Sequence, residues 1–147
     1  MLSAPPAKPT FFGRTYDEAM GLLVEARNYV AVNEVRPQPA VLTPSDRLLL
    51  CCETMRLTTR LTHIMAWLLA QRAVHAGEIT LADSAEEPYA LGGAKTCLTV
   101  TEEVRRLGDQ WLITLLDRSH KLYIRVSRLD EMVKREALSQ MAPAGTA

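Results

Sequence analysis

Between residues 16 and 32 the apolar side chains Tyr16, Ala19, Met20, Leu23, Ala26 and Val30 recur every three or four positions, while Asp17, Glu25 and Arg27 fall elsewhere. That period predicts a helix with one buried stripe. Thr15 and Glu18 have the spacing of a capping box, which places the helix start near Tyr16. Residues 1–14 are rich in proline and small side chains, and such a segment buries too little to offset the entropy of ordering it. It reads as a flexible N-terminal arm, with Phe11 and Phe12 placed to pack back onto the domain. Pro37, Pro39 and Pro44 then interrupt the helical pattern.

Pro44 also opens the next element. Thr43 serves as N-cap, Pro44 as the first helical residue, and Asp46 as an acid near the positive end of the helix dipole. No glycine or proline follows until Gly77, so a second helix is expected over about 44–76, roughly 50 Å long. It carries two apolar stripes. One is Leu48, Cys52, Met55, Thr59, Thr62, Met65, Leu69 and Ala73; the other is Leu50, Leu57, Leu61, Ile64 and Leu68 with Thr54. A helix apolar on two faces needs cover on two sides, which makes it the middle element. Arg56, Arg60 and His63 are left to a narrow polar edge.

Residues 77–101 lose the periodicity and form a long connector, with one helical turn expected around Leu81–Glu86. A connector of that length is often functional or mobile. The third helix is expected over about 102–138, Gly108 leaving its start at either Thr101 or Asp109. Its seam of Leu112, Leu115, Ser119, Leu122, Val126, Leu129 and Val133 alternates steps of three and four. That is the period of long packed helices. The chain is therefore expected to be all-α, an antiparallel three-helix bundle over 15–138 with long helices 2 and 3 and a flexible tail over 139–147. Helices 2 and 3 outlast helix 1, so apolar surface on their overhangs, including Trp67 or Trp111, is covered either by the connectors or by a second copy in a homodimer.

Composition narrows the function classes. The 147 residues are 48% apolar and 23% charged, and no apolar run approaches the ~20 residues of a membrane span. The N-terminus lacks the apolar core of a secretory signal, so a cytoplasmic location is the expectation. Three cysteines, two of them adjacent, make neither a disulfide framework nor a metal cage, and Cys51 and Cys52 are expected to be small buried hydrophobes. His63, His75 and His120 occur in no metal-ligand spacing and read as surface or boundary residues. Gly92-Gly93 lacks the context of a phosphate cradle and reads as a turn that lets the connector pass close to a helix. Without a converging nucleophile, base or ligand set, neither enzyme activity nor a cofactor or metal is expected.

Charge is informative by segment. Lys and Arg number 17 and Asp and Glu 17, for a net charge of zero, which argues against a strong nucleic-acid binder. That zero is a cancellation. Glu78, Asp83, Glu86 and Glu87 lie together without a base, whereas residues 118–135 hold six bases against Asp130 and Glu131. Arg118, Lys121, Arg125, Arg128 and Arg135 lie along one edge of helix 3. Such an edge solvates the domain and covers seam residues with its methylene stems, or it meets an acidic protein partner, nucleic-acid phosphates or the chain's own acidic connector. Arg118, Lys121, Arg125 and Arg128 are the candidate partner-binding residues.

Several strings carry a family resemblance. ETMRLTTRL at 53–61, WLLAQRAV from Trp67 and Gly77-Glu78 look like the bacterial family typified by the regulator of CtrA degradation, RcdA. Tyr89-Ala90-Leu91-Gly92-Gly93 resembles its YxLGG segment, Leu122-Tyr123 and Arg128-Leu129-Asp130 resemble its LY and RLD, and residues 12–20 are similar to its FxRTYDEAM. The resemblance implies a non-catalytic helical bundle that dimerises and acts in the cytoplasm as a cell-cycle adaptor. It would help the ClpXP protease degrade CtrA and other substrates, together with the response regulator CpdR. One departure is the short stretch Ser139–Ala147, where the family's prototype has a flexible extension used in its function. The competing reading is a nucleic-acid-associated regulatory protein that uses the basic stripe of helix 3.

Overall fold

The computed structural model describes residues 10–37 and 39–142, and every regular element among them is a helix. Three are long: α1 (Thr10–Val35), α2 (Pro44–His75) and α6 (Gln110–Met141). Three single turns, α3 (Leu81–Ser84), α4 (Ala94–Cys97) and α5 (Glu103–Arg106), punctuate the connector. The long helices pack on one another around Ala19, Leu22, Ala26, Leu57, Leu61, Ile64, Leu112, Leu115, Leu122 and Val126, and the seam of α6 is buried throughout.

The direction of the helices corrects the expected antiparallel arrangement. Arg118 and Arg125 of α6 reach Glu25 and Glu18 of α1, so those two helices run in opposite senses. Across α2 and α6 the partners rise together: Arg60 bonds Leu116 and Ser119, and Trp67 bonds Asp130. Helices α2 and α6 are therefore parallel, with α1 antiparallel to both. A parallel pair cannot be joined by a short turn. The connector has to travel back along α2, and its contacts follow that path: Leu91 lies at Asp130, Gly92 at Tyr123, Cys97 at Arg60, and Arg106 at Asp46. Its length comes from the topology.

Helix boundaries follow caps where caps exist. Thr43 Oγ1 accepts from the Asp46 amide at 3.1 Å and Asp46 returns the bond, completing a capping box. Asp46 also accepts from Arg106 at 3.0 Å, and these bonds hold its carboxyl below the usual range. Gly77 ends the helix region in the left-handed conformation at φ 77°. Helix α6 begins at Gln110, where Asp109 accepts from the Leu112 amide, and not at 102; it runs to Met141 and not to 138. Helix α1 begins at Thr10, more than a turn before the expected Tyr16, and ends at Val35 and not at 32. The Thr15–Glu18 pair is internal to it. Packing explains the earlier start, because Phe12 packs at a tilt against Trp67 with ring centroids 5.8 Å apart. Of the expected arm and tail, residues 1–9 and 143–147 lie outside the described residues.

The two sides of α2 are covered differently from the expectation. Leu57, Leu61, Ile64 and Leu68 enter the core. The other covered side is the supposed polar edge, where the connector lies. Of the first stripe, Leu48, Met55 and Leu69 are at least half exposed, and Cys51 and Cys52 are exposed as well, not buried.

Candidate functional site

Arg60 is 1% exposed. Its Nε donates to the carbonyl of Cys97 at 2.7 Å, Nη2 to that of Thr99 at 2.5 Å, and Nη1 to that of Leu116 at 3.2 Å and the hydroxyl of Ser119 at 3.4 Å. The guanidinium thus supplies donors to carbonyls of the connector and of α6. The Cys97 carbonyl in particular is buried, and the arginine is the donor that meets it. Burial, and then the neighbouring Arg56, lower its pKa, but an arginine starts so high that it stays charged.

One turn of connector earlier, Asp130 acts as a second fastening. Its Oδ1 accepts from Trp67 Nε1 at 3.0 Å and from the Leu91 amide at 3.2 Å, while Oδ2 takes Lys134 at 3.0 Å. The bond to Asp130 raises the Lys134 pKa. Tyr123 donates its hydroxyl to the Gly92 carbonyl at 2.7 Å, and burial pushes its pKa up to about 12. Between the two fastenings Gly93, at φ 77°, presses against His63: a Cβ there would stand 2.5 Å from the ring. Only glycine gives both the conformation and the clearance. Cys97 beneath it is fully buried, which raises its thiol pKa. At the far end Tyr29 donates to Asp109 at 2.6 Å, tying α1 to the cap of α6, and burial raises the pKa of this tyrosine too.

These residues are the strings of the resemblance. Arg60, Trp67, Leu91, Gly92, Gly93, Tyr123 and Asp130 lie far apart in sequence and meet along one groove. Their shared task is to hold the connector on α2 and α6. Sequence reasoning placed Arg60 with Arg56 and His63 on a narrow polar edge and missed this, because nothing in that spacing sets Arg60 apart from its neighbours. Thr58 and Thr59 bond back to carbonyls four residues earlier and contribute nothing to the groove.

The four candidate partner-binding residues do not form one free row. Arg118 and Arg125 are ion-paired with Glu25 and Glu18 of α1, at half-exposed positions. Lys121 lines a cavity of about 120 Å³ together with Arg60, His120 and Asp117. Arg128 is exposed, and neither it nor Lys121 has an ion pair among the described residues. The acids that answer the stripe come from α1. Those of the connector, Glu78, Asp83, Glu86 and Glu87, make no ion pair with it. Among the described residues no three His, Cys, Asp or Glu side chains gather as metal ligands, and no helix is long and apolar enough to cross a membrane.

An all-helical domain with a parallel helix pair, a clamped return connector, an open apolar stripe and a basic edge belongs to the class of all-α helical-bundle domains. The comparisons give the particular family. Residues 4–146 match the family described as "Protein of unknown function (DUF1465)", and the fold matches the crystal structure of RcdA from Caulobacter crescentus CB15 with a TM-score of 0.63. That match has 34% identity and covers 86% of this chain and 93% of RcdA. The chain belongs to this family, the RcdA family. No curated protein matches it.

Proposed function

We propose that the protein is a non-enzymatic adaptor in regulated proteolysis, helping ClpXP degrade cell-cycle regulators such as CtrA in concert with CpdR. The observation that carries this reading is membership of the RcdA family, at 34% identity to RcdA over most of both chains. The surface suits it. An adaptor raises the effective concentration of cargo at a protease and needs rigid faces more than reactive groups. A reconstituted reaction of ClpXP, CpdR and CtrA tests it. Addition of the protein should accelerate loss of CtrA; an unchanged rate, or DNA binding that falls steeply with salt, would overturn it.

Within this reading, α6 offers the partner surface and α2 the self-association surface. Reversing Lys121 and Arg128 to glutamate should weaken partner capture about tenfold with no change in melting temperature, because neither charge supports the fold. Reversing Arg118 and Arg125 should also cost about 1 kcal/mol of stability, since each would then face a glutamate of α1. Pull-down yield and thermal unfolding separate the two effects. The exposed stripe of Leu48, Met55 and Leu69 is where a second copy would bind. Met55→Glu with Leu69→Glu should weaken a homodimer about 100-fold by sedimentation velocity, while an undisturbed dimer would exclude this face.

A further inference from the structure

The segment from Ala85 to Gly92 leaves a groove of about 530 Å³ between itself and α2. Trp67, Leu91, Ala66, Pro88 and Tyr89 line it with His63, and its charged lining is Glu87 and Lys134. Tyr89 is 41% exposed, an aromatic ring left at the opening. Of the two charged side chains in that lining, Glu87 alone has no ion pair among the described residues. Lys134 is already joined to Asp130. Glu78, Asp83, Glu86 and Glu87 are exposed and have no basic partner among the described residues, and Asp83 is kept ionised by its cap bonds to Thr80.

We propose that this groove docks a short basic peptide segment, in which a bulky apolar side chain neighbours lysine or arginine. The apolar side chain would lie against Pro88 and Leu91. The adjacent cation would face the Tyr89 ring and the carboxylates of Glu86 and Glu87, combining a cation–π contact with charge attraction. An acidic segment would meet the unpaired carboxylate of Glu87 and a lysine whose charge is already engaged. The basic edge of α6 plays no part here, so the chain would hold two docking faces of opposite sign. This inference does not depend on the adaptor role.

The test uses the full chain and two fluorescein-labelled octapeptides, one with a central leucine and phenylalanine flanked by arginines and lysines, the other with glutamates in place of the bases. Fluorescence anisotropy should show binding of the basic peptide alone, weakened several-fold on going from low salt to about 0.3 M. Glu86→Gln with Glu87→Gln should reduce its affinity about fivefold and Tyr89→Ala about tenfold. All three side chains are exposed, so unfolding curves should match the parent. In a labelled sample, amide shifts should centre on Ala66, Leu91 and their neighbours. No binding, equal binding of the acidic peptide, unchanged affinity in the variants, or shifts centred on α6 would each overturn the proposal. Failure here would leave the ClpXP assay unaffected, and the reverse holds as well.

Discussion

Replacing Arg60 with leucine should destabilise the domain by about 3 kcal/mol in urea unfolding, the largest effect of any single change outside the apolar core. Leucine preserves apolar contacts along the side-chain stem. It removes the donors that Cys97, Thr99 and Leu116 share; the Cys97 acceptor lies where water has little access, whereas the Leu116 carbonyl keeps the Ser119 hydroxyl. Each buried acceptor left unmade costs on the order of 1–3 kcal/mol, offset in part by release of a buried charge. Arg60→Lys should recover less than half of the loss, because one ammonium cannot span carbonyls that a planar fork reaches from three nitrogens. Hydrogen exchange should show the damage first in residues 94–101, before α2 and α6 open. A variant as stable as the parent would mean that the connector is held by its apolar contacts alone.

How far this architecture could be read from sequence depends on what kind of signal each part emits. The seam of α6 is periodic and wholly buried, and the cap at Thr43–Asp46 is a local device, so both were legible. The start of α1 was not, because a valid capping pair at Thr15–Glu18 is overridden by the packing of Phe12 on Trp67, a contact 55 positions away. The parallel sense of α2 and α6 has no periodic signature at all. It could be inferred only from connector length, which sequence reasoning had assigned to mobility or function. The polar edge of α2 failed for a related reason. Periodicity reports polarity, not exposure, and the return of the connector converts Arg60 from a surface charge into a buried donor. The same substitution of cover left Leu48, Met55 and Leu69 open, where an apolar stripe had implied burial within one chain. The glycine pair was legible as a close approach, but its partner His63 was not.

Gly93→Ala should be the second large effect, about 2–3 kcal/mol, and it separates into two parts that a double-mutant cycle can measure. The left-handed φ of 77° costs an alanine about 1 kcal/mol wherever it occurs. The remainder is steric, since the new Cβ would stand 2.5 Å from the His63 ring and 3.1 Å from Cys97 Sγ. His63 is half-buried beside the connector, so its ring must swing toward the groove or the connector must lift. Shortening the histidine resolves which. In His63→Ala the clash with the ring is gone, and Gly93→Ala in that background should cost only about 1 kcal/mol, a coupling well above the error of urea unfolding. If the cost is the same in both backgrounds, conformation and Cys97 account for the glycine and the histidine contact is incidental. Gly92→Ala supplies the contrast: its φ is not in the left-handed region and its Cβ would meet the same ring at 3.4 Å, an ordinary contact. It should change stability by less than about 0.5 kcal/mol. Equal losses at the two glycines would point instead to a general intolerance of side chains along this stretch of the connector.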